Sequence, residues 1–318
     1  MSVQLATKTP SWQPSQFLSV LDLTAAELET CLDLAASMKT ARAAHRAHAT
    51  PLAGRHVALL FDKPSLRTRV TFEVAVRELG GSPILLPADV ALGSREPVAD
   101  VARNLERWVD VVVIRTFAQQ IVEEFACAAP ALRLINALTD EEHPCQALAD
   151  VLTLRERFGD LTGRTIAYVG DGNNVATSLA EACVMQGMHV RLASPEGYQL
   201  PAAIQQRVAS EARDGATLTL LSDPVAAVRG ASAVYTDVWT SMGQEDETVI
   251  RKRAFAGFQV NEALMAHASP DAIFMHCLPA HRGEEVSAGV MDGPSSVVFD
   301  QAENRLHAQK ALLAMLFE

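Results

Sequence analysis

The feature that most constrains the fold is a set of short, unbroken apolar runs recurring between helical stretches. HVALLF (56–61), DVVVIRT (110–116), LRLINAL (132–138), TIAYVG (165–170), HVRLAS (189–194) and AIFMHCLP (272–279) are the clearest. A strand with one wet face alternates apolar and polar side chains. Runs without alternation belong to parallel sheets covered on both faces. Between them, 67–79, 97–108, 144–158, 174–186 and 201–214 carry helical patterning, and SVVFD (296–300) precedes a last helix of about 301–317. Near the start, 24–47 reads as a helix opened by Thr24 and Glu27, a capping box that follows a polar tail. The fold class is therefore α/β, with two doubly wound parallel-sheet domains. The first is expected over 1–151 and the second over 152–318, with the C-terminal helix packing back on the first.

Composition narrows the function. Lys and Arg total 27 against 38 Asp and Glu, a net charge of −11. That balance opposes nucleic-acid binding, whose affinity rests on phosphate neutralisation. Five scattered cysteines without a C-x-x-C pair read as reduced thiols in a cytoplasmic protein. No apolar run approaches the roughly 18 residues of a spanning helix, and the start lacks the pattern of a secretory signal. No membrane partner is expected. His276 and Cys277 lack partners at zinc-site intervals, so no metal is expected either.

In open parallel sheets, ligands collect where strand carboxyl ends meet helix N-termini. The unusual polar residues of this chain cluster there. KPSLRTR (63–69) puts three cations and two hydroxyls between a strand and a helix. Ser65 and Thr68 can donate hydroxyl hydrogen bonds, Arg67 and Arg69 offer planar forks suited to phosphate, and the helix end is an anion site. The bland alternative is a capped helix with arginines on solvent. Arg115 ends a buried strand, an odd place for an idle cation. His143 precedes Pro144 at a helix start, and Gln146 follows one turn on, so the two could face one ligand; the alternative is a capping histidine and a surface glutamine. VGDGNNV (169–175) lacks the third glycine of a dinucleotide site, and the next strand ends without a ribose-binding acid. Asn173 and Asn174 there suit a polar substrate. DVWTSMG (237–243) joins an acid and a hydroxyl in a loop. Cys277 ends a strand as nucleophile, amine partner or packing.

Together FDKPSLRTR, VIRTF, HPCQALAD, GDGNNV, DVWTSMGQE, FMHCLPAHRGEE and FDQAENRLH, in that order from Phe61 to His307, resemble the carbamoyltransferase family. The resemblance implies a first domain for carbamoyl phosphate and a second for an amino acid, ornithine in the branch it most resembles. It implies that Ser65, Arg67, Thr68 and the backbone of Leu66 hold phosphate, and that Arg115, His143 and Gln146 contact the carbamoyl end. Asn174, Asp237, Ser241 and Met242 would bind ornithine. Cys277, Leu278 and Arg305 would complete the carbamoyl phosphate site, with Cys277 near the attacking amine. Cys277, Asp237, Arg115 and His143 are the residues expected to act in catalysis. Leu66 stands where many relatives carry Thr, and Ala91 where many carry a glutamine that reaches carbamoyl phosphate.

The implied reaction is attack of the ornithine side-chain amine on carbamoyl phosphate, giving citrulline and phosphate in arginine biosynthesis. No cofactor is expected, and a homotrimer or a multiple of it is. A carbamoyltransferase for N-acetylornithine or putrescine is the near alternative. A non-catalytic binder of phosphorylated ligands and a nicotinamide-dependent dehydrogenase are the distant ones.

Overall fold

Two five-stranded parallel sheets organise the chain. The computed structural model describes residues 16–46, 49–87, 92, 96–241 and 243–317. Ala91 and the expected ornithine contact Met242 lie outside the described residues. The first sheet takes β1 (Gln16–Phe17), β2 (His56–Phe61), β3 (Ser82–Leu86), β4 (Val111–Arg115) and β5 (Arg133–Leu138), in the order β1-β5-β4-β2-β3. The second takes β6 (Thr165–Val169), β7 (His189–Ala193), β8 (Leu218–Leu221), β9 (Ala233–Thr236) and β10 (Ile273–His276), in the order β10-β9-β6-β7-β8. The helices are α1 (Ala25–Ala43), α2 (Leu66–Glu78), α3 (Val98–Leu105), α4 (Gln119–Ala128), α5 (Pro144–Phe158) and α6 (Asn174–Met185). They continue as α7 (Ala202–Ser210), α8 (Pro224–Val228), α9 (Thr248–Ala254), α10 (Glu262–Met265), α11 (Ala288–Met291) and α12 (Val298–Met315).

The unbroken apolar runs feed two cores at once. In the first sheet Val57, Leu59, Val111 and Val113 enter a core shared by both domains, while Ala58, Leu60, Val112 and Ile114 enter one on the opposite face. The second sheet repeats this with Ile166 and Tyr168 against Ala167 and Val169. The period-two geometry of a strand requires that division.

Helices α1, α5, α6 and α12 contribute to the shared core. Every residue of α5 from Pro144 to Leu154 is buried, as befits a helix covered all round. From the far end of the chain, α12 lies against α1, α2 and α5, so the last helix touches the first sheet's helical layer. It begins at Val298, three residues earlier than the sequence pattern suggests. Strand β1 falls in the stretch read as polar tail. It exists because Gln16 and Phe17 pair with Leu134 and Ile135 and Phe17 is fully buried, a long-range effect. Among the described residues, no helix is long and apolar enough to cross a membrane.

One glycine is fixed by close approach. Gly172, between β6 and α6, donates its N–H to Tyr198 O at 2.8 Å. A Cβ there would lie 2.5 Å from Leu200 N and 2.6 Å from Gln199 C. Both are backbone atoms and cannot swing away. Gly172→Ala is expected to lower stability by about 1–3 kcal/mol, read as an earlier urea midpoint; an unchanged midpoint would show that the 198–200 turn yields freely.

Candidate active site

The carboxyl ends of β2, β4, β5, β6, β9 and β10 open on one cavity of about 670 Å³ between the two sheets. Ser65 caps α2 and accepts the N–H of Thr68 at 3.2 Å, leaving its own hydroxyl proton for a ligand. Thus the capping reading and the ligand reading of Ser65 are compatible. Leu66 is 76% exposed and offers a ligand only its backbone N–H. Arg69 faces outward and pairs with Glu73 at 3.2 Å, so it is not the second phosphate fork that its spacing suggests. That place is taken by Arg305 of α12, which donates from Nη2 to the Thr68 hydroxyl.

Arg115 arrives where the β4–β5 register slips between Ile114 and Arg115, an irregularity that re-aims a side chain. Arg115 and Arg305 are buried, Arg67 half-buried, and among the described residues none pairs with a carboxylate. Nε of Arg115 and Nε of Arg305 are buried without any hydrogen-bond partner. Burial lowers the pKa of all three, Arg115 to about 10, and Arg305 lowers Arg115 further by like-charge repulsion. Unpaired buried charge is costly. The cluster is a candidate anion socket.

His143 lies on the cavity wall at the N-cap of α5. Its side chain makes no cap hydrogen bond, contrary to the capping alternative; its backbone N–H instead donates to Ser178 Oγ at 2.9 Å. Burial holds its pKa well below the ordinary 6.5, and Arg305, Arg115, Arg67 and Lys63 push it the same way. The imidazole is therefore neutral at pH 7, and its Nδ1 is unpaired. Gln146 is not on the cavity wall. It is buried one turn further along, with Nε2 donating to Asp150 Oδ1 at 2.8 Å and Oε1 unpaired. Burial of α5 from Pro144 to Leu154 rules out the alternative of a surface glutamine.

The second domain supplies a different chemistry. Cys277 Sγ donates to Asp237 Oδ1 at 2.9 Å, and Asn173 Nδ2 donates to Oδ2 at 2.9 Å. Burial and the neighbouring Asp237 raise the Cys277 pKa well above 9.0, so the residue is a thiol donor and not a thiolate nucleophile. Asn173 also accepts the N–H groups of Val175 and Ala176, which fixes it as the cap of α6. Of the two asparagines that suit a polar substrate, Asn173 is thus engaged by the helix cap and by Asp237, and a cap-forming Asn before a helix is a readable signal. Asn174 lines the cavity and donates to Thr139 O of the first domain. Leu278 has φ 61, held by its N–H on His276 Nδ1 at 2.9 Å, and Glu285 accepts from His276 Nε2 at 3.3 Å. Ser241 and Gly243 line the outer wall, and a Cβ on Gly243 would sit 3.3 Å from the ring of Phe117. Lys63, buried, sits 4.2 Å from the centre of that ring and pairs with Asp140.

A family model described as aspartate/ornithine carbamoyltransferase, carbamoyl-P binding domain, matches residues 15–156. A second, for the Asp/Orn binding domain of the same enzymes, matches 162–316. The chain belongs to the aspartate/ornithine carbamoyltransferase family. It is 54% identical over 305 residues to the ornithine carbamoyltransferase of Acidothermus cellulolyticus, covering 95% of this chain and 96% of that one. Its fold matches the ornithine carbamoyltransferase from Pyrococcus furiosus with a TM-score of 0.93 and 47% identity, over 97% and 99% of the two chains. The corresponding enzyme from Gloeobacter violaceus gives 0.86 and 47%, over 97% and 100%. Within this family architecture, the anion socket and the Asp237–Cys277 pair face one cavity from separate domains.

The thiol's protonation is directly testable. At pH 8, iodoacetamide should label exposed Cys127 well before Cys277. Asp237→Asn should speed labelling of Cys277 several-fold by removing the charge that disfavours its thiolate. Peptide mass spectrometry would follow both sites, and equal rates in the parent protein would contradict the raised pKa.

Proposed function

We propose that this chain transfers the carbamoyl group of carbamoyl phosphate to the side-chain amine of L-ornithine, forming L-citrulline and phosphate. The observation that carries this reading is the uncompensated guanidinium socket facing an acid–thiol pair across one cavity. The close relatives named ornithine carbamoyltransferase support the amino acid, and none of the observations favours acetylornithine or putrescine.

In this reading Ser65, Arg67, Thr68, Arg305 and the Leu66 N–H hold the phosphate, at the positive end of α2. Arg115 and neutral His143 stabilise the carbonyl oxygen as it gains charge. Gln146 lies behind the cavity wall, and its unpaired Oε1 meets the carbamoyl nitrogen when the two domains close over the substrate, with Cys277 and Leu278 around it. Asn174, Asp237, Ser241 and Met242 bind ornithine. The amine must lose a proton first. With an ordinary pKa near ~10.4, neutrality at pH 7.5 costs about 4 kcal/mol. Asp237, steadied by the Cys277 thiol, is the nearby group suited to that proton balance. The N–C bond then forms, the C–O bond to phosphate breaks, and phosphate leaves with the electron pair, held by the arginines, and takes up the second proton that the new amide nitrogen gives up. No step calls on a cofactor or metal.

The proposed division of labour is carbamoyl phosphate on residues 1–151 and ornithine on 152–318, with α12 reaching back to lend Arg305. Carbamoyl phosphate is a mixed anhydride, so transfer to the amine is the downhill direction, and we place the chain in arginine metabolism. Five free cysteines fit a reducing cytoplasm. Exposed Leu66 and Val70 on α2, with Ile84 and Leu85 on edge strand β3, offer an apolar face for a homotrimer or a multiple of it.

Citrulline formation assayed with ornithine, N-acetylornithine, putrescine and aspartate should proceed with ornithine alone; a better rate with another amine would replace the substrate. Arg67→Ala should cut turnover by roughly 100-fold or more and weaken inorganic phosphate binding in calorimetry. Unchanged phosphate binding would remove the socket assignment. Light scattering should give a mass that is a multiple of three chains of 34.2 kDa, and a monomer would end the trimer proposal.

A further inference from the structure

Behind the cavity lies a buried carboxyl that no step above uses. Asp150, in α5, is fully buried. Its Oδ1 accepts from Gln146 Nε2 at 2.8 Å and from Gln301 Nε2 at 2.7 Å, and its Oδ2 accepts from Tyr235 Oη at 3.2 Å. Gln301 Nε2 also lies 3.1 Å from Tyr235 Oη, and Gln301 Oε1 accepts the backbone N–H of His276 at 3.0 Å. His276 immediately precedes Cys277, and Tyr235 stands two residues before Asp237. One carboxyl thus meets α5 of the first domain, β9 of the second and α12, and through α12 the end of β10.

An amide side chain can present either its oxygen or its nitrogen in a given direction. A carboxyl oxygen that already accepts from Gln301 resolves that choice for Gln146. Nε2 must turn to Asp150, and Oε1 is left as a buried, unpaired acceptor. Arg115 and Arg305, which line the cavity, carry unpaired Nε donors. A carbamoyl group needs both kinds, donors for its oxygen and an acceptor for its nitrogen.

We propose that Asp150 is a positioning residue for the transfer reaction, locking Gln146 with its oxygen free for the carbamoyl nitrogen and, through Gln301, holding the strand end that carries Cys277. This rests on the assignment of Gln146 to the carbamoyl group made above. Burial pushes the Asp150 carboxyl up to about 7, against the pull of its three hydrogen bonds and Arg305. A proton on Oδ2 can be donated to Tyr235 Oη, so Oδ1 remains the acceptor of both amides in either state.

The test compares Asp150→Leu, Asp150→Asn and Gln146→Leu in the full chain. Asp150→Leu should raise the KM for carbamoyl phosphate and lower kcat by roughly 10-fold or more, the cost of a misdirected buried hydrogen bond. Inorganic phosphate should bind as before, because its holders are elsewhere. Asp150→Asn should restore most of the activity, since its Oδ1 can accept both amides while Nδ2 donates to Tyr235. Gln146→Leu should match Asp150→Leu in its effect on carbamoyl phosphate, and the double variant should be little worse than either. If Asp150→Leu folds, by circular dichroism, with unchanged kinetics while Gln146→Leu is impaired, the positioning role is wrong. The same holds if Asp150→Asn is as poor as Asp150→Leu, or if the two losses simply multiply. If Gln146→Leu itself behaves as the parent, the Gln146 assignment falls and the proposal falls with it.

Discussion

Arg305 reaches from the last helix of the chain to Thr68 at the start of α2, and the anion socket depends on that contact. Three guanidinium groups stand there without carboxylate partners among the described residues, two of them buried. Such an arrangement opposes folding on electrostatic grounds and is tolerated because packing elsewhere over-determines it. Helix α12 supplies much of that packing, since it is buried along nearly its whole length against α1, α2 and α5. Charge that the protein leaves unanswered is charge a dianionic substrate can answer.

The amino-acid half of the site works by the opposite means. Asp237 is surrounded by donors that do not neutralise it, a thiol and an amide. It keeps its acceptor capacity while its position is fixed. The thiol stays protonated beside it, so Cys277 acts as a hydrogen-bond donor, and a covalent intermediate on sulfur has no support. Separation of the two charge types into different domains lets each be held rigidly before the substrates bring them into one reaction.

The fold was largely legible because its cause is local. A strand such as DVVVIRT has no polar face to turn outward, so both faces must be covered and the sheet must be parallel. Residues at strand ends were also legible as site candidates, since a polar side chain there must end up at the carboxyl edge. Arg115, Asp237 and Cys277 line the cavity for that reason, and His143 does so from the helix start that follows β5. What the pattern left open was orientation, which contacts beyond the motif itself decide. Arg69 looked equivalent to Arg67 but turns to Glu73, Gln146 could have faced a ligand or solvent and is buried with its amide on Asp150, and β1 exists because β5 offers it a partner.

By itself the sequence determined two α/β domains, the places where polar groups could gather and, through a run of ordered motifs, the family. Those properties follow from side-chain period and residue type, which are encoded position by position. Tertiary structure alone decided which arginine joins Arg67, which asparagine steadies Asp237 and which way the amide of Gln146 faces. Each of these is a choice between nearly equal local options, settled by hydrogen bonds whose partners lie as far apart in the chain as Gln301 and Asp150.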